Sequence, residues 1–346
     1  MPSELLLTGP RSVTLAAYDE RPLGHDEIRA QGIVSGISHG TELALYRGAS
    51  PFGGKRFDLD LRLFVEDETQ HGYPMRLGYE WVGSVAEIGE DVDELAVGDR
   101  IHLTLPHRET HVLAVDAAST TALPPSLDPE RATFLRTTAI ALQAIHDARI
   151  QVGARVAVFG LGTFGLLAVQ LARLVGAAWI AAVDPLSSRR KLGAGFGADL
   201  VLDPTTCDAG REIKLASDGP GVDVAVEFSG RYSGLQDALR SVRLAGTVVT
   251  AGFYVGAAGP ELRLGEEWHH NRLTLVSSMS GWGAPTREPG WDRRRLSETA
   301  LDLLASGRLQ VDELVMHRIP FADAAAAYEL IDRHPEDALR VVLTYR

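Results

Sequence analysis

The sequence predicts an α/β protein with a β-rich domain and a second domain built on a doubly wound parallel sheet. Three observations support this prediction. Short apolar runs separated by Gly and Pro extend to about residue 125 without a long helical pattern. Residues 155–184 show a strand–helix–strand pattern around a glycine-rich turn. Strand and helix patterns then keep alternating, which is typical of parallel strands joined by helices.

Length, composition and charge restrict the class of protein. A chain of 346 residues is long for one hydrophobic core and sufficient for two domains. The formal net charge of -12 argues against a nucleic acid or an anionic membrane as partner, because such partners require a basic face. The single cysteine, Cys207, excludes a disulfide framework and a cysteine-rich metal site. It also fits a cytoplasmic protein, since the cytoplasm keeps thiols reduced.

The individual elements follow from apolar spacing and turn residues. In the first domain the clearest predicted strands are residues 13–18, 27–35, 83–88, 99–105 and 110–115. An acid-rich start followed by apolar residues at helical spacing predicts a linking helix over residues 128–148. Later helices and strands are predicted at residues 191–196, 200–202, 222–227, 235–240, 248–253, 273–277 and 296–306.

The glycine-rich turn has the spacing of a dinucleotide-binding motif. Gly160-x-Gly162-x-x-Gly165 follows a strand-like run at residues 156–159 and precedes an apolar helical run at residues 166–174. Gly160 permits the tight turn, Gly162 lets the backbone approach a pyrophosphate, and Gly165 lets the helix pack on the strand. The helix N-terminus then offers unpaired N–H groups to the phosphates. The pattern predicts a Rossmann domain that binds a dinucleotide.

The choice of dinucleotide depends on the end of the second strand. Asp184 stands there, and its carboxylate would bind the ribose hydroxyls of NAD and repel the 2'-phosphate of NADP. Arg189 lies close behind and keeps NADP possible. Thr163 and Phe164 belong to the glycine-rich turn and are also expected to contact the cofactor. We therefore expect NAD, with NADP as the alternative.

Two motifs in the first domain resemble segments of a known family. Residues 36–42 read Gly-Ile-Ser-His-Gly-Thr-Glu, and residues 77–100 begin Leu-Gly-Tyr-Glu-Trp-Val-Gly-Ser-Val and end Val-Gly-Asp-Arg. They resemble the Cys-Gly-Thr-Asp loop and the Gly-His-Glu-x-x-Gly-x-Val segment of the medium-chain dehydrogenase/reductase superfamily. Residues 319–330 and 340–345 are similar to its C-terminal segment. The resemblance spans nearly the whole chain.

The resemblance implies a fold, an activity and a division of the chain. It implies a GroES-like β-barrel catalytic domain, formed by residues 1–130 and 281–346, around a Rossmann domain at residues 131–280. The active site of such proteins lies in the cleft between the two domains. The implied activity is that of an NAD(P)-dependent alcohol dehydrogenase/reductase.

The sequence departs from this family at the positions that hold catalytic zinc. Tyr79 stands where the family has the histidine ligand, and Ser38 and His39 stand where it has the cysteine. The last ligand position falls near Leu135. Catalytic zinc is usually held by three protein ligands. We therefore expect no zinc in this protein.

Few other residues could restore a metal site. Glu80, and His39 in one alignment, remain as ligands, and His71 is a conceivable replacement. His107-x-x-x-His111 has metal-binding spacing only on a helix, whereas its surroundings predict a strand. We interpret His107 and His111 as solvated histidines at a strand edge.

Without a metal, a protein group must stabilise the charge that develops on the reacting oxygen. Tyr79 is the leading candidate for this hydrogen-bond donor, with a packed tyrosine of satisfied hydroxyl as the alternative. Thr41 matches the hydroxyl that relays a proton in the family. His39 could carry that proton to solvent or, alternatively, bind the cofactor pyrophosphate.

Three further residues have weaker predictions. Glu80 is a catalytic candidate by its position in the second motif, although it is more often a structural acid behind the cofactor than a base. Arg340 matches a basic position that reaches the pyrophosphate in some relatives, and a solvated arginine at a strand end is the alternative. The backbone around Phe253 is expected at the carboxyl edge of the sheet, facing the nicotinamide amide.

These observations leave three candidate functions. The first is a zinc-independent dehydrogenase that interconverts a secondary alcohol and a ketone on a cyclic or polyol-like small molecule. Its paired motifs are similar to those of bacteriochlorophyllide hydroxyethyl dehydrogenase-like proteins, which points to specialised biosynthesis. The second is a quinone or enoyl reductase that acts on a C=C bond, and the third is a non-catalytic dinucleotide-binding protein. A homodimer is expected through pairing of the strand at residues 273–277.

Overall fold

The computed structural model divides into two compact units. Unit one comprises Met1–Thr137 and Arg293–Arg346, and unit two comprises Thr138–Asp292. Both boundaries lie further along the chain than those expected after residues 130 and 280. The structure describes residues 1–50, 54–67, 72–115, 120–217, 219–281 and 286–345.

The strands are numbered in chain order. They are β1 (Ser3–Gly9), β2 (Ser12–Ala17), β3 (Glu27–Gly36), β4 (Lys55–Asp58), β5 (Leu63–Glu66), β6 (Met75–Arg76), β7 (Trp81–Ile88), β8 (Arg100–Leu103), β9 (Thr110–Ala114), β10 (Thr120–Ala122), β11 (Arg155–Phe159), β12 (Trp179–Val183), β13 (Leu200–Leu202), β14 (Val222–Glu227), β15 (Val242–Thr250), β16 (Thr274–Ser277), β17 (Val315–Pro320) and β18 (Arg340–Thr344).

The α-helices are numbered in the same way. They are α1 (Thr41–Tyr46), α2 (Pro129–Ala132), α3 (Leu135–Asp147), α4 (Thr163–Leu174), α5 (Ser187–Gly195), α6 (Ala209–Ala216), α7 (Tyr232–Ser241), α8 (Glu267–His270), α9 (Arg293–Ala305) and α10 (Ala324–Arg333). In the part of the chain that the structure describes, no helix is both long enough and apolar enough to cross a membrane.

Unit one is organised around a mainly antiparallel sheet. Its strand order in the described residues is β10-β8-β7-β3-β18-β17, with β9 also paired to β3. Burial in β3 alternates along the strand, so that Ile28 and Ala30 are fully buried while Arg29 is half-buried. This period of two is expected where one face of a sheet packs on a core. Trp81, at the start of β7, belongs to that core.

Unit two is a parallel sheet covered by helices. In its described residues the strand order is β13-β12-β11-β14-β15-β16, and every neighbouring pair is parallel. Strands β11 and β12 are apolar and almost wholly buried, which a parallel sheet with both faces covered requires. The order reverses between β11 and β14, as in a doubly wound fold. The α/β fold class expected from the sequence is confirmed.

Two predicted elements differ from the structure. The linking helix is interrupted at Thr133 and Phe134, so that α2 and α3 replace one continuous helix. Asp128 caps α2 by accepting a hydrogen bond from the Glu130 N–H at 2.8 Å. The strand predicted at residues 248–253 ends at Thr250, and the Phe253 backbone lies beyond it.

Candidate functional site

The glycine-rich turn of unit two has the geometry that the motif predicts. Gly160 has φ +84°, and a Cβ there would lie 2.6 Å from the Ser229 backbone N. A Cβ on Gly165 would lie 1.8 Å from the Gly160 carbonyl oxygen, so only glycine fits. A Cβ on Gly162 would meet nothing within 4 Å. Open space therefore lies in front of the N-terminus of α4, where backbone N–H groups can bind an anion.

Helix α4 begins directly after Gly162, with Thr163 and Phe164 as its first two residues. Gly162 occupies the N-cap position without a side-chain cap. The Phe164 ring is stacked on Phe228, with ring centroids 6.2 Å apart. Phe228 follows β14, so Phe164 packs against the neighbouring loop at the same edge of the sheet. Contacts of Thr163 and Phe164 with a cofactor stay predictions.

Asp184 joins two loops at that edge. It is 3% exposed, and its Oδ2 and Oδ1 accept hydrogen bonds from the N–H groups of Leu161 and Leu186, both at 2.8 Å. Arg189 Nη1 lies 3.9 Å from Asp184 Oδ2. Burial lowers the pKa of Arg189, and the nearby Asp184 raises it. The carboxylate can still accept from ribose hydroxyls, because each of its oxygens has a second lone pair.

In unit one, Tyr79 and Ser38 are brought together. The Tyr79 hydroxyl donates a hydrogen bond to Ser38 Oγ at 2.6 Å, although the residues are 41 positions apart. Burial raises the pKa of Tyr79 to about 12, against a lowering by the Ser38 hydrogen bond. The phenol is therefore protonated at neutral pH and remains a donor. The residue as a whole is half-buried.

His39 and Thr41 lie on the same segment as Ser38. Thr41 is the first residue of α1, and both residues are half-buried. The hydroxyl and imidazole are therefore close in sequence to the residue that contacts Tyr79. Their roles as proton relay or pyrophosphate contact stay predictions.

Glu80 follows Tyr79 and is fully buried. Its Oε1 accepts from the Thr137 N–H at 2.6 Å and from the Thr137 hydroxyl. Its Oε2 lies 2.7 Å from His102 Nε2 and accepts from the Arg136 N–H at 3.2 Å. The Arg136 and Thr137 donors occupy the first turn of α3, where a carboxylate is favourable, and His102 lies on β8. These contacts are those of a structural acid, the more frequent role, and the catalytic candidacy of Glu80 stays a prediction.

A buried polar cluster, named the Glu42 network, was not anticipated from the sequence. Glu42 Oε1 accepts from the Ser38 N–H at 2.8 Å, and its Oε2 accepts from the Tyr328 hydroxyl and lies 3.1 Å from His107 Nε2. His107 Nδ1 is 2.7 Å from Ser35 Oγ. Glu42 thereby holds the backbone of the residue that accepts from Tyr79. In the sequence, the acidic residue directly after Thr41 was the signal that could have indicated this network.

The interpretation of two histidines as solvated was wrong. His107 is 0% and His111 4% exposed. His111 lies on β9, and its ring packs edge-on against Trp81 with centroids 4.8 Å apart. Its Nε2 lies 3.0 Å from the Pro106 carbonyl oxygen. Partners distant in sequence bury both rings, which the spacing of the two histidines could not reveal.

Arg340 is buried, so the alternative of a solvated arginine was also wrong. It is 2% exposed at the start of β18. Its Nη2 donates to Thr137 Oγ1 at 2.8 Å and its Nη1 to the Ile37 carbonyl oxygen at 3.3 Å. The guanidinium lies 4.5 Å from the Phe134 ring centroid. A contact with pyrophosphate stays a prediction.

Tyr79 and Ser38 do not supply the ligands that a zinc ion needs. A phenol with a pKa near 12 and a serine hydroxyl are both neutral, and Glu80 is already occupied by backbone and His102. Leu135, near the expected last ligand, is apolar and 1% exposed. His71 lies outside the described residues.

One possible metal-binding group occurs elsewhere in the described residues. It comprises His334, Glu336 and Asp337, all of them exposed. These residues are near neighbours in sequence and follow α10, whereas Tyr79 and Ser38 belong to the N-terminal part of unit one. Exposed acidic groups commonly lie together without a metal. The group therefore carries no metal assignment.

Two family models match the chain. One, described as an alcohol dehydrogenase GroES-like domain, matches residues 55–117. The other, described as a zinc-binding dehydrogenase, matches residues 163–298. The order of the two matches agrees with a β-rich unit that precedes the glycine-rich turn.

Curated and solved relatives cover nearly the whole chain. D-guloside 3-dehydrogenase from Escherichia coli (strain K12) is 32% identical over 352 residues, covering 99% of each chain. The solved 2R,3R-butanediol dehydrogenase from Bacillus subtilis has a TM-score of 0.79 at 22% identity, covering 99% of both chains. Alcohol dehydrogenase TADH from Thermus sp. ATN1 has a TM-score of 0.77 at 24% identity, covering 99% of this chain and 100% of its own. The chain therefore belongs to the medium-chain dehydrogenase/reductase superfamily of NAD(P)-dependent oxidoreductases.

Proposed function

We propose that this protein is a zinc-independent NAD(P)-dependent dehydrogenase that interconverts a secondary alcohol and a ketone. The substrate class is a cyclic or polyol-like metabolite, handled in specialised biosynthesis. Support for this class comes from the 32% identity to an enzyme named for a guloside. The observation that carries the proposal is the hydrogen bond between Tyr79 and Ser38 at positions where the superfamily has metal ligands.

Unit two would hold the dinucleotide through its glycine-rich turn. The open space at Gly162 fits a pyrophosphate at the N-terminus of α4. Asp184, directly after β12, would accept from ribose hydroxyls, which favours NAD over NADP. When bound, the nicotinamide ring accepts or returns the hydride. We expect a lower KM for NAD than for NADP.

Tyr79 would polarise the reacting oxygen. Its neutral phenol donates a hydrogen bond to Ser38 Oγ in the structure. With substrate bound, the phenol would donate to the substrate oxygen instead. Such a donor stabilises an alkoxide-like oxygen more strongly than the neutral ground state. The alcohol proton would leave through the Thr41 hydroxyl to His39. Glu80 and the Glu42 network would hold these groups in place.

The proposal is tested by metal analysis of the purified protein together with a screen of alcohols, ketones and enones for cofactor-coupled absorbance. Turnover of a secondary alcohol without stoichiometric metal is the expected result. Reduction of enones alone would indicate a C=C reductase, and cofactor binding without turnover would indicate a binding protein. One transition metal ion per chain would contradict the assignment of Tyr79.

Substitution of Tyr79 tests its role directly. Tyr79→Phe removes the donor while retaining the ring, and kcat is expected to fall about 100-fold. Tyr18→Phe is the matched control, since the Tyr18 hydroxyl bonds to Thr110 elsewhere in unit one. Its kcat should equal that of the unsubstituted enzyme. An undiminished kcat in Tyr79→Phe would remove the phenol from the mechanism.

We also propose a cytoplasmic homodimer. Strand β16 is at the edge of the sheet in unit two, and Leu275 on it is 42% exposed. An unpaired strand edge with an exposed apolar side chain favours pairing with a second copy. Sedimentation analysis of the purified protein checks this state, and a monomer at micromolar concentration would contradict it.

A further inference from the structure

A buried carboxyl group lies where the strand order of unit two reverses. Glu227 is the last residue of β14, and it is 0% exposed. Strand β14 pairs with β11, which leads into the glycine-rich turn. Ligands of open parallel sheets bind in the crevice at such a reversal point. Glu227 therefore borders the region that would receive the cofactor.

The Glu227 carboxyl group connects two loops by hydrogen bonds. Its Oε1 accepts from the Ser229 N–H at 2.6 Å and from the Ser229 hydroxyl. Its Oε2 accepts from the Gly230 N–H at 3.3 Å and from the Tyr254 hydroxyl. The main-chain carbonyl oxygen of Glu227 accepts from the Gly252 N–H at 2.9 Å. The loop after β14 is thereby tied to the loop after β15.

Glycines pack the two loops closely around this carboxyl group. A Cβ on Gly252 would lie 2.4 Å from the Gly230 N and 2.9 Å from Glu227 Oε2. Gly230 has φ +65°, and a Cβ there would lie 2.6 Å from the Phe253 carbonyl oxygen. The backbones of the two loops are therefore in close contact, and a larger residue at either glycine would force them apart.

The protonation of the cluster is compatible with these bonds. Burial raises the pKa of Glu227, and hydrogen bonds from Ser229 and Tyr254 lower it. Burial and the adjacent carboxyl group raise the pKa of Tyr254 far above its ordinary value. Tyr254 is therefore a permanent donor, and four donors converge on one carboxyl group.

We propose that Glu227 is a positioning residue that, through Tyr254 and Ser229, holds the two loops for the nicotinamide half of the cofactor. The adenosine and pyrophosphate half is held instead by the glycine-rich turn and Asp184. The inference rests on the cofactor site of the proposed function. It is independent of the role of Tyr79 and of the question of zinc.

The test compares two ligands that share one half. Dissociation constants of NAD+ and of ADP-ribose, which lacks nicotinamide, are measured by titration calorimetry on the full chain. Loss of a hydrogen bond to the carboxyl group in Tyr254→Phe or Glu227→Gln should weaken NAD+ binding about tenfold. Binding of ADP-ribose should change by less than about twofold, because its own contacts are intact.

Tyr232→Phe is the matched control. The Tyr232 ring packs against Tyr254 with centroids 5.2 Å apart, but its hydroxyl donates to the Gly256 carbonyl oxygen. This variant should bind NAD+ normally. Unchanged NAD+ binding in Tyr254→Phe, or an equal loss of ADP-ribose binding, would overturn the inference. Since binding is measured without a substrate, failure of the proposed catalytic function would leave this result unaffected.

Discussion

The glycine-rich turn of unit two depends on three glycines, which have no side chain, within one short segment. The Tyr79 region of unit one depends instead on side chains from distant positions in the sequence. In the turn, Gly165 allows α4 to approach the Gly160 carbonyl oxygen. In unit one, Tyr79 meets Ser38 across 41 positions, and Glu42 meets Tyr328 across 286. The comparison indicates that the shape of the glycine-rich turn is encoded locally, whereas the surroundings of Tyr79 are encoded by the tertiary fold.

The largest effect is expected from Gly165→Ala, which tests the local half of this comparison. Its Cβ would lie 1.8 Å from a backbone oxygen, so the turn or the helix must shift, at a cost of about 3 kcal/mol or more. We expect no measurable NAD+ binding in titration calorimetry. Gly195→Ala, in α5, is the control, because its Cβ would meet nothing within 4 Å. Near-normal affinity in Gly165→Ala would refute local encoding.

The next effect tests the non-local half through stability. Glu80→Gln removes the charge that faces His102 and the first turn of α3, and should lower the free energy of unfolding by about 3 kcal/mol. Glu87→Gln lies on the same strand, where the side chain is 54% exposed, and should change it by less than about 0.5 kcal/mol. Urea denaturation measures both. Equal stabilities would mean that the buried contacts of Glu80 are dispensable.

The smallest expected effect is a change in the pH dependence of stability, caused by the buried His111. Burial, reinforced by Arg108, lowers the pKa of His111 from 6.5 to about 3. The folded protein therefore binds a proton on His111 more weakly than the unfolded chain does. The contribution of His111 to the free energy of unfolding is complete above pH 6.5 and declines as the pH falls toward 3. The expected slope is about 1.4 kcal/mol per pH unit.

Urea denaturation at pH 7 and pH 5 checks the slope. His111→Gln should lose less stability between these values than the unsubstituted protein, by about 2 kcal/mol. His25→Gln is the control, since the His25 side chain is 76% exposed. The same pH dependence in His111→Gln and the unsubstituted protein would contradict the assignment to His111.

The sequence predicted the parts of the fold that depend on near neighbours. The parallel sheet, the turn at Gly160 and the first strands follow from apolar period and glycine spacing, which are local properties. The break between α2 and α3 was missed, because Thr133 and Phe134 have no strong turn signal.

The candidate site could be predicted only in part. Tyr79 was identified from one motif, but the burial of Arg340 depends on Thr137, 203 positions away. The Glu42 network and the hydrogen bonds of Glu227 were not predicted, since an acidic residue in an apolar run does not reveal which donors will surround it. Such partners are set by tertiary contacts, which a single sequence does not display.

The position of β18 has a consequence for synthesis. This strand lies between β3 and β17, so residues 340–344 complete a sheet that residues 27–36 began. A ribosome delivers the segment for unit two without interruption, and that unit can acquire its structure while translation continues. The sheet of unit one cannot be completed until β18 has emerged from the exit tunnel of the ribosome, and until then β3 and β17 lack the strand that joins them.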